Sequence, residues 1–239
     1  MCKLSVNVNK IATIRNARGG NIPNLIEAVK SIEKYGSEGV TIHPRPDERH
    51  IRYDDAREIN KIYTTEFNIE GYPNKQFLDL VVELKPTQVT LVPDGPDVLT
   101  SNAGWDTVAH KTMLTDIVGG LKEKGMRTSI FIDPEEKYFS PAKEIGADRV
   151  ELYTEAYASG FHTNKQEAIK PYHEVALVCN ELGLGINAGH DLDLKNLRYF
   201  FLNIPELMEV SIGHALISDA LYFGLENVVN MYKKQLQPL

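Results

Sequence analysis

The segment KLSVNVN, from Lys3 to Asn9, is the first of eight short runs that are rich in β-branched residues. The other seven are GVTIH (Gly39 to His43), EFNIE (Glu66 to Glu70), QVTLV (Gln88 to Val92), RTSIFI (Arg127 to Ile132), RVELY (Arg149 to Tyr153), GINA (Gly185 to Ala188) and EVSI (Glu209 to Ile212). Runs of this composition and length predict β-strands. They recur about every 30 residues, and an amphipathic helical pattern follows nearly every one, which predicts repeated βα units.

Two of the helical patterns show how these units are built. Asn24 is a predicted N-cap because Glu27 follows it by three residues, and Gly36 is predicted to end the same helix. The apolar face of this helix is predicted to be Leu25, Ala28, Val29 and Ile32. The last helix is predicted to present Leu221, Leu225, Val228, Val229 and Tyr232.

The number of units decides the architecture. Eight alternating strands and helices in 239 residues predict a closed, single-domain (β/α)8 barrel that spans residues 1–239. An open doubly wound sheet usually stops at five or six strands. A hydrophobic share of 42% and a charged share of 25% fit one well-buried α/β domain of this size.

Charge and composition exclude several partners. A formal charge of -7 argues against nucleic acid and anionic membrane surfaces, which are held mainly by clustered Lys and Arg. The first residues lack the apolar run of a signal peptide, and no stretch approaches the roughly 20 apolar residues of a membrane span. A cytoplasmic protein is therefore expected. With only Cys2 and Cys179, a disulfide framework is not expected, and Cys179 lies on a predicted apolar helix face.

Polar residues gather where the predicted strands end. In a (β/α)8 barrel the active site forms at the carboxyl ends of the strands. The residues there are Asn7, Asn9, His43, Glu70, Glu151, Asn187, His190, Gly213 and His214. Carboxylates and imidazoles that converge on one mouth shift one another's pKa, and His titrates near neutral pH. The sequence therefore predicts acid–base catalysis.

Two features near the same mouth predict anion binding. The first 26 residues contain Lys3, Lys10, Arg15 and Arg18 but no acid, and the loop after the second strand adds Arg45, Arg49 and His50. The segment 211–216 runs from the last strand through Gly213 directly into a helix, and the backbone N–H groups of such a junction bind phosphate. Two separate features predict two phosphate groups.

Two connections after strands, 93–107 and 154–164, are longer than the fold needs. Both are rich in Gly, Pro, Asp and Ser, so they are predicted to be binding loops at the mouth.

Other barrel mechanisms fit the residues less well. Metal-dependent hydrolases of this fold commonly use His-x-His on the first strand, where this chain has Asn7-Val8-Asn9, although His43, Glu70, His190 and His214 leave a metal site open. Schiff-base aldolases need an interior Lys, and Lys10 is the nearest candidate. Acid–base chemistry on phosphorylated carbonyl compounds is favoured, and the residues by themselves specify no reaction.

Several short strings, in order along the chain, carry a resemblance to a known family. They are IATIRNARG (11–19), His43-x-Arg45, Arg49-His50-Ile51, Asn68-Ile69-Glu70, Leu91-Val92-Pro93, Asn187-Ala188-Gly189-His190 and Ile212-Gly213-His214-Ala215. Together they cover essentially the whole chain, and the sequence resembles the pyridoxine 5'-phosphate synthase family. The resemblance implies a cofactor-independent ring closure of 3-amino-2-oxopropyl phosphate with 1-deoxy-D-xylulose 5-phosphate, without a bound metal. It also implies a homo-oligomer, namely an octamer.

The same resemblance implies a role for individual residues. In the catalytic group, His43 is the implied proton acceptor, Glu70 a second acid–base group, His190 a proton donor and Glu151 a support for charged intermediates. Asn7, Arg18, Asp191, Gly213 and His214 are expected to face the amino ketone phosphate. Arg45, His50 and Thr100 are expected to face the deoxyxylulose phosphate.

The chain departs from the commonest family pattern at two places. Asn9-Lys10 stands where many members have Asp-His, and Asp191 follows His190 where glycine is frequent. Another phosphosugar isomerase or aldolase of the same fold remains the nearest alternative, and a non-catalytic binding barrel is the second. The joint presence of His43, Glu70 and His190 counts against the binding barrel.

Overall fold

The strands of the protein close into a parallel barrel. The computed structural model describes residues 2–94 and 103–238. Its strands are β1 (Lys3–Asn7), β2 (Gly39–Ile42), β3 (Glu66–Gly71), β4 (Gln88–Leu91), β5 (Arg127–Ile132), β6 (Arg149–Leu152), β7 (Gly185–Ala188) and β8 (Leu207–Ile212). Each strand pairs in parallel with the next along the chain, and β8 closes the barrel against β1. The predicted (β/α)8 barrel is confirmed.

Helices surround the barrel. They are α1 (Asn9–Asn16), α2 (Leu25–Lys34), α3 (Tyr53–Asn60), α4 (Lys75–Leu84), α5 (Lys111–Lys122), α6 (Phe139–Ile145), α7 (Glu155–Leu182), α8 (Leu197–Asn203), α9 (His214–Phe223) and α10 (Leu225–Gln235). A single 3-10 turn, Glu136–Tyr138, precedes α6. Among the described residues, no helix is long and apolar enough to cross a membrane.

The start of α2 forms as its sequence predicts. The side-chain oxygen of Asn24 accepts a hydrogen bond of 3.1 Å from the backbone N–H of Glu27, which satisfies one of the donors at the helix start. Leu25, Val29 and Ile32 are buried against the barrel, whereas Ala28 is only partly buried.

Two predictions about helices are wrong. Residues 154–164 were expected to form a binding loop, but α7 begins at Glu155 and continues to Leu182, with a break in helical geometry at Asn164. The side-chain oxygen of Asn164 accepts from the N–H groups of Gln166 and Glu167, so a polar cap restarts the helix. Leu221 lies on α9 and not on the last helix, is 72% exposed, and is separated from α10 by Gly224.

The hydrophobic core lies between the strands and the helices. Alternate strand residues face outward and are fully buried there, among them Leu4, Val6, Val40, Ile42, Phe67, Ile69, Val89, Leu91, Ile130, Ile132, Val150, Leu152, Ile186, Val210 and Ile212. Burying each such side chain contributes roughly 1.5–3 kcal/mol, so this shell holds the barrel in shape.

The strand residues that point into the barrel are mostly polar, although Phe131 on β5 is apolar. They include Ser5, Thr41, Asn68, Thr90, Ser129, Glu151, Asn187 and Ser211, and all eight residues are buried. The Ser5 and Thr41 hydroxyls lie 2.7 Å apart, and Thr90 donates to the Asn68 amide oxygen at 3.0 Å. Barrels of this type usually place branched apolar residues here, so the interior of this barrel is more polar than is usual for the fold.

A ring of charged residues closes the amino-terminal end of the barrel. Lys3 and Arg127 both form ion pairs with Glu66, and Arg149 lies 3.3 Å from a carboxylate oxygen of Glu209. Lys3 is therefore at the opposite end from the predicted active site, and its inclusion among cations near the mouth is wrong. Lys3 is the first residue of β1, so it lies where that strand begins, at the amino-terminal end of the barrel.

Candidate active site

The carboxyl ends of the strands bring the predicted catalytic residues to one mouth. Glu70 lies on β3 and Glu151 on β6, while His43 is the first residue after β2 and His190 the second after β7. His43, Glu70 and Glu151 are at most 9% exposed, and the His190 side chain is 33% exposed. The charge of His190 acts on both His43 and Glu151, and that of Glu151 acts on Glu70, so the four groups form one electrostatic cluster.

His43 is held by the polar residues at the end of β1. Its backbone N–H donates a hydrogen bond of 3.0 Å to the side-chain oxygen of Asn9, and the N–H of Asn9 donates to the side-chain oxygen of Asn7 at 3.1 Å. Burial lowers the pKa of His43 well below its ordinary value, and the nearby cations Arg45 and Arg49 lower it further. The imidazole is therefore neutral at physiological pH and has a nitrogen free of charge to accept a proton.

The pKa of Glu70 is shifted in the opposite direction. Burial raises the pKa of its carboxyl well above the ordinary value, and the negative charges of Glu151, Glu209 and Asp94 raise it further. The side-chain amide of Asn7 lies 3.5 Å from one of its oxygens. Glu70 therefore tends to hold a proton that a solvated Glu releases.

Glu151 has a similar environment deeper in the barrel. Burial raises its pKa to about 8, and Glu209 adds to the shift while the positive charge of His190 opposes it. Near neutral pH this carboxyl is mostly protonated, so it can donate a hydrogen bond to a developing negative charge.

His190 favours the charged form. Burial lowers its pKa, but a hydrogen bond and the negative charge of Asp191 outweigh burial, and the net shift is upward. The Nδ1 atom of His190 lies 2.8 Å from a carboxylate oxygen of Asp191. The environments at one mouth thus shift the pKa values of His43 and His190 in opposite directions, which favours the neutral form of His43 and the charged form of His190.

The loop after β2 places Arg45 and His50 beside His43. Arg45 is buried and donates a hydrogen bond of 2.8 Å to Asp94, which follows β4. The ring of His50 lies 6.5 Å from that of His43 between centroids, and its Nδ1 accepts the backbone N–H of Ile51 at 2.9 Å. Burial and the charge of Arg45 lower the pKa of His50 to about 4, so it is a neutral donor through Nε2.

The two arginines after β1 have different environments. Arg15 is 3% exposed and donates hydrogen bonds to both carboxylate oxygens of Asp55. Because its charge is already paired, the prediction that Arg15 is one of the anion-binding cations is wrong. Arg18 lies in the turn that follows α1 and is exposed. Arg18 is therefore the arginine of this segment that can reach a ligand in solution.

The junction of β8 and α9 has the predicted form. Gly213 caps α9, which begins at His214, so the amino-terminal end of the helix lies at the mouth. A Cβ atom at Gly213 would lie 3.0 Å from the Cβ of Asn7, and one at Gly189 would lie 1.9 Å from the carbonyl oxygen of Ser211. Glycine at these two positions lets the backbones of β1, β7 and β8 approach closely around the site.

Two acidic residues that act on the site, Asp94 at the mouth and Glu209 from within the barrel, were not among the predicted residues. Asp94 pairs with Arg45, and Glu209 lies beneath Glu151, where burial raises its pKa. An acid directly after the fourth strand was the available signal for Asp94, whereas Glu209 begins a predicted strand and gave no signal of its own. Thr100, predicted to face a substrate, lies outside the described residues. Within the described ranges, no three His, Cys, Asp or Glu side chains are grouped as metal ligands would be.

Comparison with known protein families gives a full-length match. The family model described as "Pyridoxal phosphate biosynthesis protein PdxJ" matches residues 4–238. Proteins named pyridoxine 5'-phosphate synthase from Christiangramia forsetii and Cytophaga hutchinsonii are each 60% identical over 237 residues, covering 99% of this chain and 100% of the relative. The protein of the same name from Flavobacterium johnsoniae is 58% identical over the same length and coverage.

Solved structures share the architecture at low identity. Phosphoribosylanthranilate isomerase from Thermotoga maritima superposes with a TM-score of 0.62 at 14% identity, covering all of both chains. The 3-keto-L-gulonate-6-phosphate decarboxylase of Vibrio cholerae gives a TM-score of 0.65 at 9% identity, over 98% of this chain and 97% of the other. At such identities these similarities support the barrel fold and nothing further.

Proposed function

The chain belongs to the PdxJ family of pyridoxal phosphate biosynthesis proteins, and we propose on this basis that it condenses 3-amino-2-oxopropyl phosphate with 1-deoxy-D-xylulose 5-phosphate. The products are pyridoxine 5'-phosphate, phosphate and water. The observation that carries the proposal is the opposite charge preference of His43 and His190 at one mouth, because ring closure with loss of water needs both a proton acceptor and a proton donor.

The neutral His43 imidazole removes a proton from the substrate during condensation. Its low pKa keeps the acceptor nitrogen available over the physiological range. Glu70 then carries protons between successive intermediates, since its raised pKa lets the carboxyl hold a proton that it can pass to a neighbouring group. His190, in its charged form, protonates the leaving oxygens, and Glu151 donates a hydrogen bond to the intermediates.

The two phosphates bind on different sides of the mouth. Asn7, Arg18, Asp191, Gly213 and His214 face the amino ketone phosphate, with the start of α9 supplying backbone N–H groups to the phosphate. Arg45, His50 and Thr100 hold the deoxyxylulose phosphate. Support for the second site comes from the buried Arg45 guanidinium, a planar group suited to phosphate, which lies in the loop after β2 at the mouth and is held there by Asp94 at 2.8 Å.

A direct assay tests this function. The purified, chelator-treated chain is mixed with both substrates, and the absorbance of pyridoxine 5'-phosphate is followed. We expect product only when both substrates are present, and a rate of formation that is lower by roughly 10²- to 10⁴-fold in the His43→Ala variant. Turnover of either phosphosugar by itself, at a rate that is unchanged by the second substrate, would favour the rival isomerase or aldolase reaction.

Assembly and location are part of the same proposal. We propose a homo-oligomer, an octamer, in the cytoplasm. Exposed apolar side chains at the end of α9 support self-association, because Leu221, Tyr222 and Phe223 are each more than half exposed and adjacent in sequence. Sedimentation velocity of the purified chain tests it, and a monomer at micromolar concentration would contradict the proposal.

A further inference from the structure

We propose that Asp191 is a positioning residue, whose carboxylate fixes the His190 ring in one orientation and keeps it in the proton-donating form. The inference rests on the proposed role of His190 as proton donor. It gives the Asp191 side chain a task separate from substrate contact, namely the control of a neighbouring catalytic group.

The contact between the two side chains is direct. The His190 Nδ1 atom lies 2.8 Å from Oδ2 of Asp191, and both side chains are about one-third exposed, at 33% and 32%. When Nδ1–H donates to the carboxylate, the ring is fixed with Nε2 on its opposite side. A carboxylate that accepts from one nitrogen of an imidazole stabilises the doubly protonated ring, whose second N–H then serves as the donor.

The backbone of Asp191 is itself anchored by buried partners. Its N–H donates to the hydroxyl of Thr154 at 3.3 Å, and its carbonyl accepts from the side-chain amide of Asn196 at 3.2 Å. Thr154 and Asn196 are at most 3% exposed. Asn196 is fixed in turn by the hydroxyl of Tyr157, which donates to its carbonyl at 2.8 Å. The carboxylate is therefore presented to His190 by a rigid support.

Aromatic rings limit the orientations of His190. The Tyr153 ring meets it edge-on at 5.6 Å between centroids, and the Phe131 ring lies at 6.4 Å. Tyr153 is connected to the same support, because the Tyr172 hydroxyl donates to its carbonyl at 2.9 Å. Ring packing on these sides and the hydrogen bond to Asp191 together define one orientation.

The charges around His190 come from several elements. Burial disfavours the imidazolium, while the hydrogen bond and charge of Asp191 favour it most, followed by the charges of Glu151 on β6 and Asp94 after β4. His43 faces the cluster from the end of β2 and is itself held neutral, so it adds no competing charge. Asp191 is the member of this set that touches the ring, and it acts through both a hydrogen bond and charge.

Substitution of Asp191 tests the proposal with two readouts. In Asp191→Asn, which keeps the shape of the side chain, we expect the His190 ring to titrate at lower pH by NMR of histidine-labelled protein, with its signal assigned from His190→Gln. We also expect the ratio of kcat at pH 8.5 to kcat at pH 6.5 to fall by roughly 3- to 10-fold, since the donor loses its proton earlier. Asp191→Glu should recover part of both effects.

Asp193→Asn is the matched control. Asp193 lies in the same loop, where it accepts from the N–H groups of Lys195 and Asn196 but does not contact the ring. Its loss of charge should leave the His190 titration close to that of the wild type. An unchanged His190 titration in Asp191→Asn overturns the proposal whether or not the chain makes pyridoxine 5'-phosphate. A shifted titration with an unmoved kcat profile would instead overturn the donor role of His190.

Discussion

The guanidinium of Arg15 on α1 donates hydrogen bonds of 2.6 and 2.8 Å to the two carboxylate oxygens of Asp55 on α3. A third bond, of 3.2 Å, joins Arg15 to the carbonyl of His50. The pair thus connects the helix after β1 to the loop that carries His50, and it is almost fully buried on the Arg15 side. This arginine supports the mouth without facing it.

Loss of Arg15 should therefore reduce stability. We expect Arg15→Ala to lower the free energy of unfolding by about 3–5 kcal/mol, because a partly buried carboxylate is left without its partner. Chemical denaturation measures this change. Arg57→Ala is the control, since its pair with Glu83 is exposed and screened by solvent, so its loss should change the free energy of unfolding little. Equal losses in the two variants would contradict a structural role for Arg15.

Changes at His43 and Glu70 should act on turnover. We expect His43→Ala and Glu70→Gln each to lower kcat by roughly 10²- to 10⁴-fold with little change in KM, because each removes a positioned acid–base group. The double variant should fall little below the worse single one, since groups that serve one proton pathway are not additive. Near-normal turnover with a reduced melting temperature would make His43 a structural residue.

Substitution of Arg45 should change the KM of one substrate more than that of the other. We expect Arg45→Lys to raise KM for deoxyxylulose phosphate by roughly tenfold or more, because lysine lacks the planar fork that binds phosphate and Asp94 together. KM for the amino ketone phosphate should change little. Arg18→Lys should show the reverse preference. Equal effects of either change on both substrates would contradict the separation of the phosphate sites.

The buried Glu151 carboxyl should destabilise the folded protein at high pH. Folding raises its pKa from 4.5 to about 8, so the folded state retains a proton that the unfolded state releases. The contribution of this group to the free energy of unfolding therefore falls as pH rises from 4.5, its pKa in the unfolded chain, toward about 8, its pKa in the folded protein. Glu151→Gln should raise the melting temperature more at pH 8.5 than at pH 5. Glu174→Gln, at an exposed position on α7, controls for loss of one charge. A gain that is the same at both pH values would contradict a raised pKa.

The sequence predicted the barrel well because period and composition are local properties. All eight strands were found, and β5 and β7 were placed with their observed bounds. The first turns of the helix at 155–182 were predicted to be a loop, because Gly160 and Asn164 are typical of loops. In the structure Tyr157 packs against Tyr172 and Phe200, and this burial outweighs the local preference. Tertiary packing of this kind is absent from local patterns.

Individual contacts in the site were harder to predict than its location. Strand ends indicated where His43, Glu70, Glu151 and His190 would meet, since parallel strands share one carboxyl rim. Nothing in the spacing indicated that Arg15 would pair with Asp55, forty positions away, or that the charge of Glu209 would act on Glu151. Those relationships depend on barrel register and helix packing, which only the three-dimensional structure contains.

The polar lumen of the barrel has a consequence for how this chain tolerates change. On β3, Phe67 and Ile69 face the hydrophobic shell while Asn68 and Glu70 face the lumen, and most of the other strands repeat this division. Alternate codons of these strands therefore encode separate surfaces, one packed against the helices and the other lining the lumen. A mutational library restricted to lumen positions would vary the chemistry of the barrel while it leaves the apolar shell unchanged, which makes this barrel a suitable starting point for directed evolution.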